Sequence, residues 1–157
     1  MEEERESTAV VLLRPLTKAD LAAVLAIEEA SFSSPWTRES FLNELHSAHS
    51  QLTVAEQQGR IVGYLCCWYV ADEVHILDIA VHPDARRQGI GERLLCHAFA
   101  VGRQKAARSA SLEVRRSNLP ARALYEKFKF SESAVRRRYY SDGEDALLMT
   151  CSLSQNC

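Results

Sequence analysis

Apolar residues along this chain recur in two different periods, and the switches between them mark out the secondary structure. Val10 to Leu13 is a short apolar, β-branched run that stops at Arg14-Pro15, which predicts a first strand. Thr17 then offers an N-cap with Asp20 three residues on. Leu21, Val24, Leu25 and Glu28 follow at helical spacing with one polar intruder, so a helix is predicted over about 18–29. Ser33-Ser34-Pro35-Trp36 breaks that pattern, and Thr37 caps a second, shorter helix through Phe41, Leu42 and Leu45.

Period two takes over next. Gln51 to Glu56 and Ile61 to Val70 read as strands around Gln57-Gln58-Gly59-Arg60, a hairpin with a glycine turn, and Val74 to Val81 follows after Ala71-Asp72-Glu73. Three sequential strands with short turns make an antiparallel meander. A long helix over about 90–105 presents Ile90, Leu94, Leu95, Ala98 and Val101 on its inner face. Ser109 to Val114 is again strand-like, and the intervening helix makes it a parallel neighbour of the strand ending at Val81, joined by a right-handed crossover. Pro120 opens a helix to Phe128 that carries Leu124 and Phe128 inward, and strands over Ser133–Tyr139 and Asp145–Ser152 close the chain around Ser141-Asp142-Gly143-Glu144. The order is β-α-α-β-β-β-α-β-α-β-β, a mixed α/β (α+β) sheet with helices on both faces. One domain is expected over 9–153, with an acidic tail at 1–8 and a short tail at 154–157.

Composition narrows the class. The 157 residues include 46% hydrophobic and 25% charged, with 6 Gly and 4 Pro, which is ordinary for a globular domain. A net charge of −2 excludes a whole-molecule field for nucleic acid or an anionic membrane. The start, Met1-Glu2-Glu3-Glu4-Arg5-Glu6, lacks an apolar segment, and no run approaches the roughly 18 apolar residues of a membrane span. A cytoplasmic protein is expected. Cys66, Cys67, Cys96, Cys151 and Cys157 show no C-x-x-C spacing, and adjacent Cys66 and Cys67 point to opposite faces of a strand, so reduced thiols acting as small hydrophobes are expected. His46, His49, His75, His82 and His97 have no ligand spacing, and no metal is predicted. Arg136-Arg137-Arg138 alternates faces on its strand, a solvated pattern and not a patch for direct nucleic-acid contact.

The candidate chemistry begins at Arg86-Arg87-Gln88-Gly89-Ile90-Gly91, which joins a strand to a helix. Its glycines let a ligand approach the backbone, and the free N–H groups of the helix start favour an anion such as a diphosphate. A dinucleotide fingerprint would need glycine or alanine where Leu94 stands, and no G-x-x-x-x-G-K-[ST] occurs. Glycines placed for helix packing alone would give the same hexapeptide.

The R-x-x-G-x-G form resembles motif A of the GNAT acetyltransferases, whose loop holds the pyrophosphate of coenzyme A. From about residue 9 to 153 the chain is similar to their RimI-type branch, the ribosomal-protein alanine N-acetyltransferases. The similarity is carried by Phe32-Ser33-Ser34-Pro35-Trp36, Ile79-Ala80-Val81-His82-Pro83-Asp84, Arg86 to Gly91, Leu112-Glu113-Val114-Arg115, Ser117-Asn118, Ala123-Leu124-Tyr125-Glu126 and Arg137-Arg138-Tyr139-Tyr140. The resemblance implies a single GNAT-type, mostly antiparallel seven-stranded sheet with four helices and acetyl-CoA as co-substrate. It assigns backbone pairing with the cofactor to Ile79, Ala80 and Val81, the pyrophosphate loop to Arg86, Arg87, Gln88, Gly89, Ile90, Gly91 and Glu92, and a further cofactor contact to Asn118. Asp78 and His82 depart from the asparagine and aspartate that often flank the triplet in the family.

Acetyl transfer from a thioester to an amine needs a base, because amines are mostly protonated at neutral pH, and an acid for the departing thiolate. The family's catalytic glutamate falls on Glu113 and its acid on Tyr125. Local pattern alone leaves Glu113 open to a solvent-facing role paired with Arg115 or Arg116, and Tyr125 to an ordinary core role. Trp36 and Tyr139, with Tyr140, are the candidates for walling a peptide slot; each also suits a packed hydrophobic rim. The expected reaction is direct transfer, without an acyl-enzyme, to the N-terminal alanine of a ribosomal protein by a monomer or weak dimer. The rivals are lysine or small-amine acetylation on the same scaffold, and a non-catalytic coenzyme A-binding module.

Overall fold

A two-residue turn sets the architecture going: Gln58 and Gly59 both lie at positive φ, 52° and 76°, the conformation whose twist matches two antiparallel strands. It joins β2 (Ser50–Gln57) to β3 (Arg60–Val70), and β4 (Glu73–Val81) completes the expected meander. With β1 (Val11–Pro15), β5 (Ser109–Arg115), β6 (Ser131–Arg136) and β7 (Ala146–Ser152) they form one seven-stranded sheet in the order β1-β2-β3-β4-β5-β7-β6. Only the β4–β5 pair is parallel, as the crossover predicts. The computed structural model describes residues 10–155; the tail expected over 1–8 lies outside the described residues.

Four helices cover the sheet: α1 (Leu21–Ser31), α2 (Arg38–His46), α3 (Ile90–Gln104) and α4 (Leu119–Lys127). The element order is the one the periodicity predicts. α1 begins later than expected because Lys18–Asp20 winds as a 3-10 turn, tied by the Thr17 N–H donating to Asp20 at 2.8 Å. The Arg14 guanidinium beside Asp20 holds its carboxyl down at about 2. Thr37 caps α2 as predicted, its hydroxyl accepting from the Ser40 N–H at 3.2 Å. α1 and α2 bury Leu21, Val24, Ile27 and Phe41 on one face; α3 and α4 bury Ile90, Leu94, Leu95, Phe99, Tyr125 and Phe128 on the other. Among the described residues no helix is long and apolar enough to cross a membrane.

Two irregularities at the centre of the sheet position everything that follows. The parallel pairing of β4 with β5 lasts four rungs, from Glu73↔Ser109 to Ile76↔Leu112, after which the strands diverge. At the same level β4 carries a bulge: Cys66 opposes Asp78 while Cys67 opposes Ile76, so Leu77 is one residue too many. Val74 and Ile76 face α3 and α4, and strict alternation would put Asp78 with them. The extra residue turns Asp78 to the α1 side instead.

Three expectations are corrected. β6 stops at Arg136, short of Tyr139, because Arg138 adopts a positive φ of 51° and donates its N–H to Asp145 at 3.0 Å. Arg136-Arg137-Arg138 therefore does not alternate along a strand, and Arg137 and Arg138 line a surface hollow with Arg116 and Asp145. Cys66, Cys67 and Cys151 are free and buried, and burial pushes the Cys67 thiol up to about 11. Cys96, by contrast, is disulfide-bonded, so reduced thiols throughout does not hold.

Candidate functional site

The divergence of β4 from β5 opens a cleft of about 430 Å³ at the carboxyl end of β4. Ile79, Ala80 and Val81 form one wall and Asn118, Pro120, Ala121, Leu124 and Tyr125 of α4 and its start form the other; Arg86, Arg87, Gly89, Ile90, Gly91 and Glu92 close the end. Past Ile76 the backbone groups of β4 that would face β5 have no strand partner. Gly89 is the N-cap of α3 at φ 74°, and a Cβ there would meet nothing within 4 Å. The first α3 bond runs from the Arg93 N–H to the Gly89 carbonyl at 3.0 Å, so the N–H groups just before it have no intrahelical acceptor. A loop with free N–H groups, left-handed glycine backbone and the positive end of a fifteen-residue helix behind it suits a diphosphate. Gln88 is the one expected loop residue outside the cleft, since its side chain accepts from Gln57 at 3.0 Å.

A second cleft, of about 170 Å³, adjoins the first and shares Phe32, Ile79, Asn118, Ala121 and Tyr125 with it. Tyr125 thus stands where the two meet. Its ring packs edge-on to Phe130 at 5.7 Å, and burial pushes its phenol well above the ordinary value, so the hydroxyl keeps its proton. Glu113 lies across the second cleft with its side chain 17% exposed, 3.2 Å from His75 Nε2 and 3.6 Å from Arg136 Nε. It is not paired with Arg115 or Arg116. Arg115 goes to Asp142 at 2.8 Å and Glu144 at 3.0 Å, and Arg116 to Asp145 at 3.2 Å.

Of the residues expected around a peptide slot, Trp36 lines this cleft and Tyr139 does not. Tyr139 is 51% exposed on the rim, edge-on to Tyr140 at 5.1 Å. Tyr140 lines the cleft, with the Arg115 guanidinium 4.0 Å over its ring, and burial pushes its phenol up to about 12.

Sequence reasoning missed an acidic pair on the floor of this cleft. Glu28, 1% exposed, accepts from the Trp36 N–H at 3.0 Å and from the Tyr64 hydroxyl. Asp78, 8% exposed, hydrogen-bonds Glu28 and leaves its Oδ2 without a partner. Burial, then the bond to Glu28 and its charge, hold the Asp78 carboxyl well above the usual range. That direction favours the protonated form of the Asp78 carboxyl, which can then donate to Glu28. The polar intruder at Glu28, one turn after Val24 on the apolar stripe of α1, was the available signal.

The sequence model of the acetyltransferase (GNAT) family matches residues 21–130. A ribosomal protein bS18-alanine N-acetyltransferase of Escherichia coli K12 is 35% identical over 142 residues, covering 88% of this chain and 95% of its own. A Bacillus subtilis protein that carries the same name provisionally is 41% identical over 145 residues, covering 91% and 96%. The crystal structure of the ribosomal-protein-S18-alanine N-acetyltransferase from Escherichia coli superposes with a TM-score of 0.83 at 33% identity, covering 92% of this chain and 94% of that one.

Proposed function

Since the chain belongs to the acetyltransferase (GNAT) family, we propose that it transfers the acetyl group of acetyl-CoA to the N-terminal amine of a protein, a ribosomal protein beginning with alanine. Bound acetyl-CoA supplies an activated acyl thioester. Backbone N–H groups at the start of α3, with Gly89 and Gly91, would hold its pyrophosphate, and the unpaired edge of Ile79 to Val81 would meet its amide arm. The acceptor enters the smaller cleft between Trp36 and Tyr140.

An acceptor α-ammonium titrates near 7.7–8.0 and must lose a proton before it can attack. Glu113 takes that proton, directly or through one water. Tyr125, at the junction of the clefts, returns a proton to the sulfur as the carbon–sulfur bond breaks. Attack is direct, and no cysteine of the chain is used as a nucleophile. We place this work in the cytoplasm, on a monomer or weak dimer.

The observation that supports this most is the adjacency of the two clefts, with a protonated phenol at their junction and a carboxylate on the far wall. Purified protein with acetyl-CoA and an alanine-starting peptide that contains an internal lysine provides the test. Fragmentation should locate the acetyl group on the N-terminal nitrogen; acetylation mainly on the lysine, or none, overturns the proposal.

A further inference from the structure

On the sheet face that carries α1 and α2, the four-rung β4–β5 pairing aligns four polar side chains. Glu73 and His75 come from β4, Ser111 and Glu113 from β5, and His75 and Ser111 are register partners. The Ser111 hydroxyl donates to Glu73. His75 Nδ1 lies 2.8 Å from Ser111 Oγ, and Nε2 lies 3.2 Å from Glu113 Oε2.

Counting protons along this row fixes its polarity. Ser111 has one hydroxyl hydrogen, and Glu73 receives it. Toward His75 the same oxygen is an acceptor, so Nδ1 carries a hydrogen. Nε2 is then without a hydrogen and lies 3.2 Å from Glu113 Oε2, so a proton taken up by Glu113 has a vacant acceptor beside it. Around the pair stand Arg136 of β6, 3.6 Å from the second Glu113 oxygen, the Tyr140 phenol across the same cleft, and the Trp68 ring of β3, 6.2 Å from the imidazole and itself bonded to Glu44 of α2.

From this we infer that Glu113 and His75 act as one base, in which Glu73, through Ser111, holds the imidazole in the tautomer that leaves Nε2 open. The inference rests on the role of Glu113 proposed above. An N–H bond of the acceptor ammonium breaks as an O–H bond forms on Glu113. That O–H bond then breaks as an N–H bond forms on His75 Nε2, giving an imidazolium between the Glu113 and Glu73 carboxylates. The side chain of His75 is 25% exposed, so the proton leaves to water and the row returns to its starting state. The energetic gain is in matching: an imidazole is by its chemistry closer in basicity to an α-amine than a carboxylate is, so relaying the proton to it shortens the uphill step. His75 is a proton-holding partner of the catalytic carboxylate, and Ser111 and Glu73 are positioning residues.

Nitrogen NMR on the wild-type protein tests the tautomer without any variant: the neutral ring should carry its hydrogen on Nδ1, and an Nε2–H tautomer overturns the inference. Kinetics on the alanine-starting peptide test its use. His75→Gln and His75→Asn should each lower kcat about 10- to 100-fold, leave the peptide KM within about twofold and displace the acid limb of the pH–kcat profile. Ser111→Ala should do the same in kcat by about 3- to 10-fold. A wild-type profile in folded His75→Gln or His75→Asn overturns the inference and leaves the acceptor proposal standing if Glu113→Gln is impaired. Wild-type enzyme that modifies only the lysine fails the acceptor proposal instead.

Discussion

Two carboxylate groupings face the smaller cleft, and they differ mainly in how water reaches them. Glu28 and Asp78 are buried on the cleft floor beneath the Trp36 loop, with both Glu28 oxygens bonded and the Asp78 carboxyl held well above the usual range. Glu113 is half-open, beside an imidazole that is itself in contact with solvent. A general base must discharge its proton once per turnover, so the open carboxylate suits chemistry and the closed pair suits architecture. Residue type says nothing about this division; solvent access decides it.

The sharpest way to break the comparison is Glu113→Gln. It should cut kcat/KM by about 10²–10⁴ at neutral pH, or about 3–5 kcal/mol of barrier, with partial recovery as pH rises and the acceptor amine deprotonates unaided. Melting should stay within about 2 °C of wild type. A pH–rate profile and a thermal scan on one preparation measure both; a profile parallel to wild type removes Glu113 as the base.

Glu28→Ala should show the reverse balance. It strips the Trp36 N–H and Tyr64 hydroxyl of their acceptor and leaves Asp78 alone in the core, a loss of about 3 kcal/mol that corresponds to roughly 6–12 °C in Tm for a chain of this size. The peptide KM should rise with the loosened loop. Melting near the wild-type temperature would show that the pair does not hold the cleft together.

Asp78→Asn isolates the Asp78 proton. The folded carboxyl is raised above its unfolded value of about 3.9, so its contribution to stability is fully present below about pH 4 and is lost as pH rises. The amide keeps the bond to Glu28 without that penalty. The variant should melt about 2–4 °C above wild type at pH 8, with the advantage gone near pH 4. A difference that is constant with pH would deny Asp78 its proton.

Smallest of all should be Tyr139→Ala, on the rim and outside the cleft, with a peptide KM within about threefold of wild type. Tyr140→Ala, inside it, should exceed that. Equal effects would return Tyr139 to the peptide slot.

Much of the fold was readable because it is encoded locally. Gln58-Gly59 dictates its own turn, Thr37 caps its own helix, and the apolar stripe from Ile90 to Ala98 needs no knowledge of what covers it. The glycine loop was legible for the same reason. Glu113 and Tyr125 were not: their local pattern was open, and the roles proposed for them came from resemblance to a family. What stayed hidden depends on distant partners. Asp78 faces α1 only because of an extra residue in β4, and His75 meets Ser111 only through the register of strands 36 residues apart. Gln88 left the loop for Gln57, and β6 ended early because Asp145 captured the Arg138 N–H.

The bulge at Leu77 has a consequence for how this gene can vary. What position 77 contributes is length, since its side chain only adds to the apolar packing under α1. Removing that one codon would close the bulge, since Ile76 and Asp78 already oppose consecutive residues of β3, and would leave Asp78, Ile79, Ala80 and Val81 on the faces they now occupy. The site should therefore tolerate apolar substitutions at 77, and loss of residue 77 better than loss of any other residue between 73 and 81, each of which has a register partner on β3. A selection that scores single-residue deletions along the strand would show this, because only the bulged residue can be lost without taking a rung of the β3–β4 ladder with it.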